Sequence, residues 1–168
     1  MTAFKLMLLG EIGVGKSSIA RRMVFDRFES EYKPTIGVDV LRCELPAQPG
    51  LPPVTLIIWD TDGNFGDAIF QHVYLRQADG ALIISDIGRR ATLEAQRGLA
   101  RGFLNERPGR YCRLVVNKCD VAETMEAKAL EADLGELQLP LSLTSAKTGS
   151  NIAHVFQDAA RTMARRSL

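Results

Sequence analysis

GEIGVGKSS, residues 10–18, follows the apolar run FKLMLL and leads into IARRMVF, so it sits between a strand-like stretch and a helix-like one. Gly10, Gly15, Lys16 and Ser17 fit the spacing G-x-x-x-x-G-K-[ST], whose context is a loop joining a strand to a helix. Glycines allow the backbone of Gly10, Glu11, Ile12, Gly13, Val14 and Gly15 to wrap closely enough for its N–H groups to cradle phosphate oxygens. The start of the helix at Lys16, Ser17 and Ser18 adds its dipole to the same anion. Lys16 is placed to reach the terminal phosphates, and the Ser17 hydroxyl is placed to ligate Mg²⁺. The expected ligand is a nucleoside triphosphate with Mg²⁺.

Outward from this loop, apolar runs of strand length alternate with segments of helical period, the pattern of βαβ units around a mainly parallel sheet. Strands are expected at 3–9, 38–45, 54–60, 80–86, 113–117 and 139–144, and helices at 16–25, 65–76, 91–105, 126–134 and 152–165. PAQPGLPP, residues 46–53, holds four prolines and a glycine and is too short for a crossover helix, so the second and third strands should form an antiparallel hairpin. The expected fold is α/β, a P-loop NTPase domain spanning 1–168, with five parallel strands and one antiparallel strand in a mixed six-stranded sheet and helices on both faces.

Composition narrows the partners. The 168 residues are 46% hydrophobic and 24% charged, enough apolar mass for a core, and the net charge of +1 argues against a nucleic-acid partner held by bulk attraction. Three cysteines without metal-ligand spacing point to free thiols in a reducing compartment, hence the cytoplasm. Thr2 stands where myristoylation needs glycine and the end RRSL has no cysteine to prenylate, so no lipid anchor and no stable membrane attachment is expected. The chain alone is expected to be a monomer.

LVVNKCD, residues 114–120, places Asn117, Lys118 and Asp120 just past a buried strand, where open α/β sheets bind ligands. The Asp120 carboxylate can accept two hydrogen bonds, from the guanine N1–H and exocyclic amine. Adenine offers no such pair of donors, so the carboxylate would be left unpaired against ATP. TSAK, residues 144–147, supplies Ser145, the Ala146 N–H as a donor to the guanine carbonyl, and Lys147. Lysine usage agrees with this assignment: the chain has six lysines against fifteen arginines, and Lys16, Lys118 and Lys147 all fall within these motifs.

With these motifs in this order, the chain resembles the Ras superfamily of small GTPases, Ras- and Rab-like, over nearly its whole length. FESEYKPTIGVDV, residues 28–40, resembles the first switch: the resemblance implies Phe28 against the guanine edge, Tyr32 closing over the phosphates, and Thr35 as a ligand of Mg²⁺ and the γ-phosphate. WDTDGNFGD, residues 59–67, resembles the second switch, with Asp60 holding Mg²⁺ through water and the Gly63 N–H meeting the γ-phosphate. Loops ordered by the triphosphate and released by the diphosphate imply effector and regulator proteins as partners. Gly63→Ala is then expected to abolish that rearrangement while leaving nucleotide affinity nearly intact.

Three departures fall on hydrolysis. Asn64 replaces the glutamine that orients the attacking water, Asp62 replaces an alanine, and Ile12 replaces a glycine in the space an arginine finger would enter. With Lys16, Gly63 and Asn64 as the catalytic candidates, the expected protein is a binder of GTP and GDP with Mg²⁺ whose intrinsic hydrolysis is slow. A pseudo-GTPase interaction module is the alternative, and the guanine motifs disfavour an unrelated P-loop kinase or ATPase. Trp59 is expected in packing, His72 and His154 in structural roles, RTMARRSL as the last turn of a helix, and Gly98 and Gly102 as sites of close helix packing. Base choice gives a direct test. Asp120→Asn should shift preference towards xanthine, whose C2 carbonyl accepts where guanine donates. Competition binding decides it, and an undiminished margin for guanosine over xanthosine nucleotides would refute the pocket assignment.

Overall fold

The computed structural model describes residues 2–31, 33–50, 52–63, 73–121 and 137–167. Its strands are β1 (Thr2–Leu9), β2 (Val38–Leu45), β3 (Val54–Thr61), β4 (Gly80–Asp86), β5 (Tyr111–Asn117) and β6 (Leu141–Leu143), and its helices α1 (Lys16–Phe25), α2 (Arg90–Glu106) and α3 (Ile152–Arg166). They form one six-stranded sheet of order β2-β3-β1-β4-β5-β6. β2 pairs antiparallel with β3, from Val38 opposite Thr61 to Leu45 opposite Val54, and every other pairing is parallel. This is the mixed sheet that the Pro-rich hairpin and the βα alternation imply.

Strand geometry divides β1 between two cores, because successive side chains leave opposite faces. Phe4, Leu6 and Leu8 join Ile19 and Ala20 of α1 and Val155, Phe156, Ala159 and Ala160 of α3 in one cluster. Met7 and Leu9 join Leu93, Ala100 and Phe103 of α2 in the other. Helices therefore cover both faces. The buried positions of α3 recur at helical spacing, Ile152, Val155, Phe156, Ala159, Ala160 and Met163, which is why this segment is a helix with one apolar stripe. Each fully buried Leu, Ile or Phe stabilises the fold by roughly 1.5–3 kcal/mol.

One buried polar side chain pins α2 to the sheet. Gln96, fully buried, donates through Nε2 to the Ile83 carbonyl at 2.6 Å and the Val115 carbonyl at 3.1 Å, and accepts from the Ser85 hydroxyl at 3.1 Å. It thereby joins α2 to the C-terminal halves of β4 and β5, next to where both strands release their chains into loops.

The structure corrects several boundaries. β5 starts two residues earlier than expected, since Tyr111 and Cys112 are buried and pair with Gly80 and Ala81. β6 is shorter than 139–144: Pro140 has no N–H for the ladder, although its carbonyl accepts from Leu114 N at 2.9 Å. The expected helix at 126–134, the 65–72 part of the helix at 65–76, and His72 lie outside the described residues. His154 is exposed on α3.

Among the described residues, Gly98 and Gly102 mediate no close packing, and a methyl group built on either would meet nothing within 4 Å. Gly in a helix interior costs roughly 1 kcal/mol relative to Ala. Gly98→Ala and Gly102→Ala should therefore each raise stability, by about 0.5–1 kcal/mol, read as a higher urea midpoint at unchanged m. A lower midpoint in either variant would mean that this face is covered.

Candidate functional site

β1 ends at Leu9 and α1 begins at Lys16, leaving six residues to turn the chain. Gly15 caps α1 at φ +101°, a conformation that side chains resist, and a Cβ there would run into the Asn117 amide. The loop folds back on the Lys16 side chain. Lys16 is 6% exposed, and its Nζ donates to the Gly10 carbonyl at 2.7 Å and the Glu11 carbonyl at 2.9 Å. Burial pulls this ammonium down to about 8, with the carboxylates of Asp60, Asp62 and Glu11 pulling back the other way.

The next three loop carbonyls are also held. The Ile12 carbonyl accepts from Arg89 Nη2 at 2.7 Å, Gly13 from Lys118 Nζ at 2.8 Å, and Val14 from Asn117 Nδ2 at 3.0 Å. In a planar trans peptide the C=O and the following N–H point opposite ways. Carbonyls tied back in this manner turn the N–H groups of Gly13, Val14 and Gly15 to the other side, an arrangement suited to an anion.

Beside the loop lies an all-oxygen group. The Ser17 and Thr35 hydroxyls are 2.7 Å apart. Asp60, near the end of β3 and 1% exposed, has an Oδ1 with no hydrogen-bond partner among the described residues. Burial raises the Asp60 carboxyl above its ordinary range, while a hydrogen bond from Ser17 and the charge of Lys16 act against that rise. An orphaned buried carboxylate oxygen beside two hydroxyls fits a hard divalent cation such as Mg²⁺, whose preferred donors are oxygens.

The base-side residues converge from β5 and the segment after β6. Lys118 stands at φ +64°, in the left-handed region that costs a non-glycine residue about 1 kcal/mol or more, and is held there by Gly13 O and Asp86 Oδ2, both at 2.8 Å from its Nζ. Asp120 accepts at Oδ1 from the Ser145 hydroxyl at 2.6 Å, so Ser145 aims the carboxylate. The Ala146 N–H donates to Asn117 Oδ1 at 3.2 Å, so in this structure it meets that amide. Phe28, Lys118, Asp120, Ala146 and Lys147 line one end of a cleft of about 510 Å³, and Gly13, Gly15, Lys16, Ser17, Ser18 and Thr35 line the other. Tyr32 and Asn64 lie outside the described residues.

Some residues of this site carry no motif. Asp86, at the end of β4, ties Lys118 to Arg89, and its place at a strand's C-terminal end, like Asp60 and Asn117, is the signal that could have marked it. Arg22 of α1 donates to the Ala146 and Lys147 carbonyls at 2.8 and 2.7 Å; no sequence spacing distinguishes it from the arginine beside it. Trp59 is a packing residue, edge-on to Tyr74 with centroids 5.9 Å apart and with Lys5 Nζ 3.9 Å from its ring centroid.

The two switch-like segments meet here. The Asp62 N–H donates to the Gly37 carbonyl at 2.9 Å, and Gly63 lies directly against the phosphate-binding loop, where a Cβ would collide with Ile12 N and the Glu11 carbonyl carbon. That contact revises the expectation for Gly63→Ala. Because the added methyl must displace the loop itself, the variant should lose affinity for both the diphosphate and the triphosphate, by about tenfold or more, as strain of 1–3 kcal/mol implies. Titration with both nucleotides measures it; unchanged diphosphate affinity would show that the segment moves aside at no cost.

Comparison with known proteins bears on this cleft. Residues 5–165 match the Ras family. Over 156 residues the chain is 35% identical to GTP-binding protein ypt5 of Schizosaccharomyces pombe, covering 90% of this chain and 74% of that protein. It is 31% identical over 168 residues to Ypt/Rab-type GTPase YPT7 of Saccharomyces cerevisiae, covering 94% and 79%, and 31% identical over 163 residues to Ras-related protein Rab-31 of Rattus norvegicus, covering 94% and 81%. A sheet with one antiparallel edge strand, a glycine loop folded on a buried lysine and a match along almost the whole chain have one common explanation: the chain belongs to the Ras family of small GTPases.

Proposed function

We propose that this protein is a guanine-nucleotide switch that binds GTP and GDP with Mg²⁺ and hydrolyses GTP slowly. Ras and Rab proteins generally bind GTP and GDP with Mg²⁺, hydrolyse GTP and work through effectors and regulators. The observation that carries the reading here is the buried Lys16, folded under its own loop beside the orphaned Asp60 oxygen. Asp120 and Ala146 at the far end of the same cleft support guanine as the base.

Within this reading, the loop N–H groups and Lys16 bind the β- and γ-phosphates, and Asp120 orients the base. Ser17, Thr35 and Asp60 would hold Mg²⁺, which would neutralise phosphate charge when bound. The Gly63 N–H serves as the γ-phosphate contact that orders the second switch, and Asn64 as the group that places the attacking water. Lys16 and the loop N–H groups stabilise the charge that develops during in-line displacement. The free thiols of Cys43, Cys112 and Cys119 favour a reducing compartment, and we place the protein in the cytoplasm. Its partners would engage the two switch loops.

The slow rate rests on Asp62. Its carboxylate lines the cleft and acts on Lys16, so it sets a negative charge beside the place of the terminal phosphate. Ile12 is half-exposed at the same mouth. Single-turnover hydrolysis tests this. The triple variant Ile12→Gly, Asp62→Ala, Asn64→Gln should be faster than the native chain by about 10- to 1,000-fold, the scale of one positioned catalytic group. A native rate equal to or above that of the variant overturns the slow-switch reading, and a native chain that holds GTP without turnover would establish the pseudo-GTPase instead.

A further inference from the structure

Arg89 occupies the turn between β4 and α2 and belongs to none of the nucleotide motifs. Its Nη2 donates to the Ile12 carbonyl at 2.7 Å, and its Nε donates to Asp86 Oδ2 at 3.2 Å. The guanidinium also stands 3.6–4.0 Å from where a Cβ on Gly13 would project. The same Asp86 oxygen accepts from Lys118 Nζ at 2.8 Å, and that ammonium reaches on to the Gly13 carbonyl at 2.8 Å. One carboxylate, only 7% exposed, therefore anchors two cations that take the carbonyls of two consecutive loop residues. Burial alone would raise the Asp86 carboxyl, but the donors Lys118, the Gly88 N–H and Arg89 outweigh it and hold the group below its ordinary value, so it stays ionised.

We infer that Arg89 is a positioning residue for the phosphate-binding loop: it holds the Ile12 carbonyl back, keeps the Gly13 N–H turned towards the nucleotide, and ties the loop through Asp86 to Lys118 on the base side. This rests on the guanine-nucleotide reading of the cleft. Arg89 takes the Ile12 carbonyl, which points opposite to the Gly13 N–H, so it acts on the loop from behind. A lysine or arginine elsewhere on the surface would add only diffuse charge, whereas this guanidinium makes two directed bonds in its fixed fork geometry. The arrangement couples the two ends of the ligand. A loop that loosens at Ile12 relaxes Asp86, and through it Lys118.

The test compares nucleotide release and affinity in the full chain with Arg89→Ala, Arg89→Gln and Arg89→Lys, using fluorescently labelled GDP for release and unlabelled GDP and GMP as competitors. At 46% side-chain exposure Arg89 is replaceable without opening the core, and thermal unfolding of each nucleotide-free variant checks that. Arg89→Ala should release GDP about 10- to 100-fold faster, the scale of a lost hydrogen bond involving a charged group. Arg89→Lys, which keeps a cationic donor but not the fork, should recover part of that loss and Arg89→Gln little of it. Affinity for GMP should fall less than affinity for GDP, since the held peptides face the phosphates beyond the first. GDP release from Arg89→Ala at the native rate, or equal losses for GMP and GDP, overturns the role of Arg89. A native chain that fails to bind GDP at all would instead overturn the guanine-nucleotide reading on which the role depends.

Discussion

A lysine ammonium taken out of water is the constraint around which this protein is arranged. A buried charge is tolerated only where acceptors surround it, and Lys16 finds them in two carbonyls of its own loop and in nearby carboxylates. To bring the carbonyls of residues 10 and 11 onto the side chain of residue 16, the chain must turn back on itself as soon as it leaves β1. β1 sits between β3 and β4 in the sheet, so the ends of those strands can deliver Asp60 and Asp86 to the two sides of the loop, and β5 delivers Asn117. The sheet order is thus the reason that residues distant in sequence share one cleft.

Much of the fold was legible in the sequence because its strands are either fully buried or clearly bounded. β2, β4 and α1 lie where the apolar pattern and the glycine-bearing turns place them, and the proline-rich tip could only be a hairpin. The boundaries that moved are those where pairing outweighed local pattern. Tyr111 and Cys112 look like the end of a turn after PGR, yet they extend β5 because β4 supplies partners for them. Gly98 and Gly102 show the reverse: spacing suggested a packed face, and among the described residues the helix has no neighbour there.

The site divides in the same way. Residues whose role depends on adjacent backbone, such as Gly15, Lys16 and Ser17, announce themselves through spacing, since the loop is local. Arg89, Asp86 and Arg22 act through hydrogen bonds to carbonyls or side chains tens of residues away, and no spacing records that. Ser145 was legible as part of TSAK, but its work of aiming Asp120 emerges only when β5 and β6 lie side by side. The Ala146 N–H, expected to meet a base, is met by Asn117 in this structure; the amide that braces the phosphate-binding loop also braces the base side.

On the proposed reading, holding and hydrolysing would rest on different parts of the molecule. The groups that grip the loop are buried or doubly bonded at strand ends, so changing them disturbs packing as well as binding. Ile12 is half-exposed and Asp62 follows the end of β3, so substitution there alters charge and access at little cost to the core. Asp62 acts in two directions. Its carboxylate helps keep the Lys16 ammonium charged. With a triphosphate in the cleft, the same carboxylate would face the γ-phosphate, and at short range two like charges repel by amounts that burial enlarges. A diphosphate leaves that space to Lys16 and Asp62. On the proposed reading, the attraction that stabilises the lysine in one state would become a penalty on the other, and Asp62 would bias the balance between the two nucleotide states towards the diphosphate.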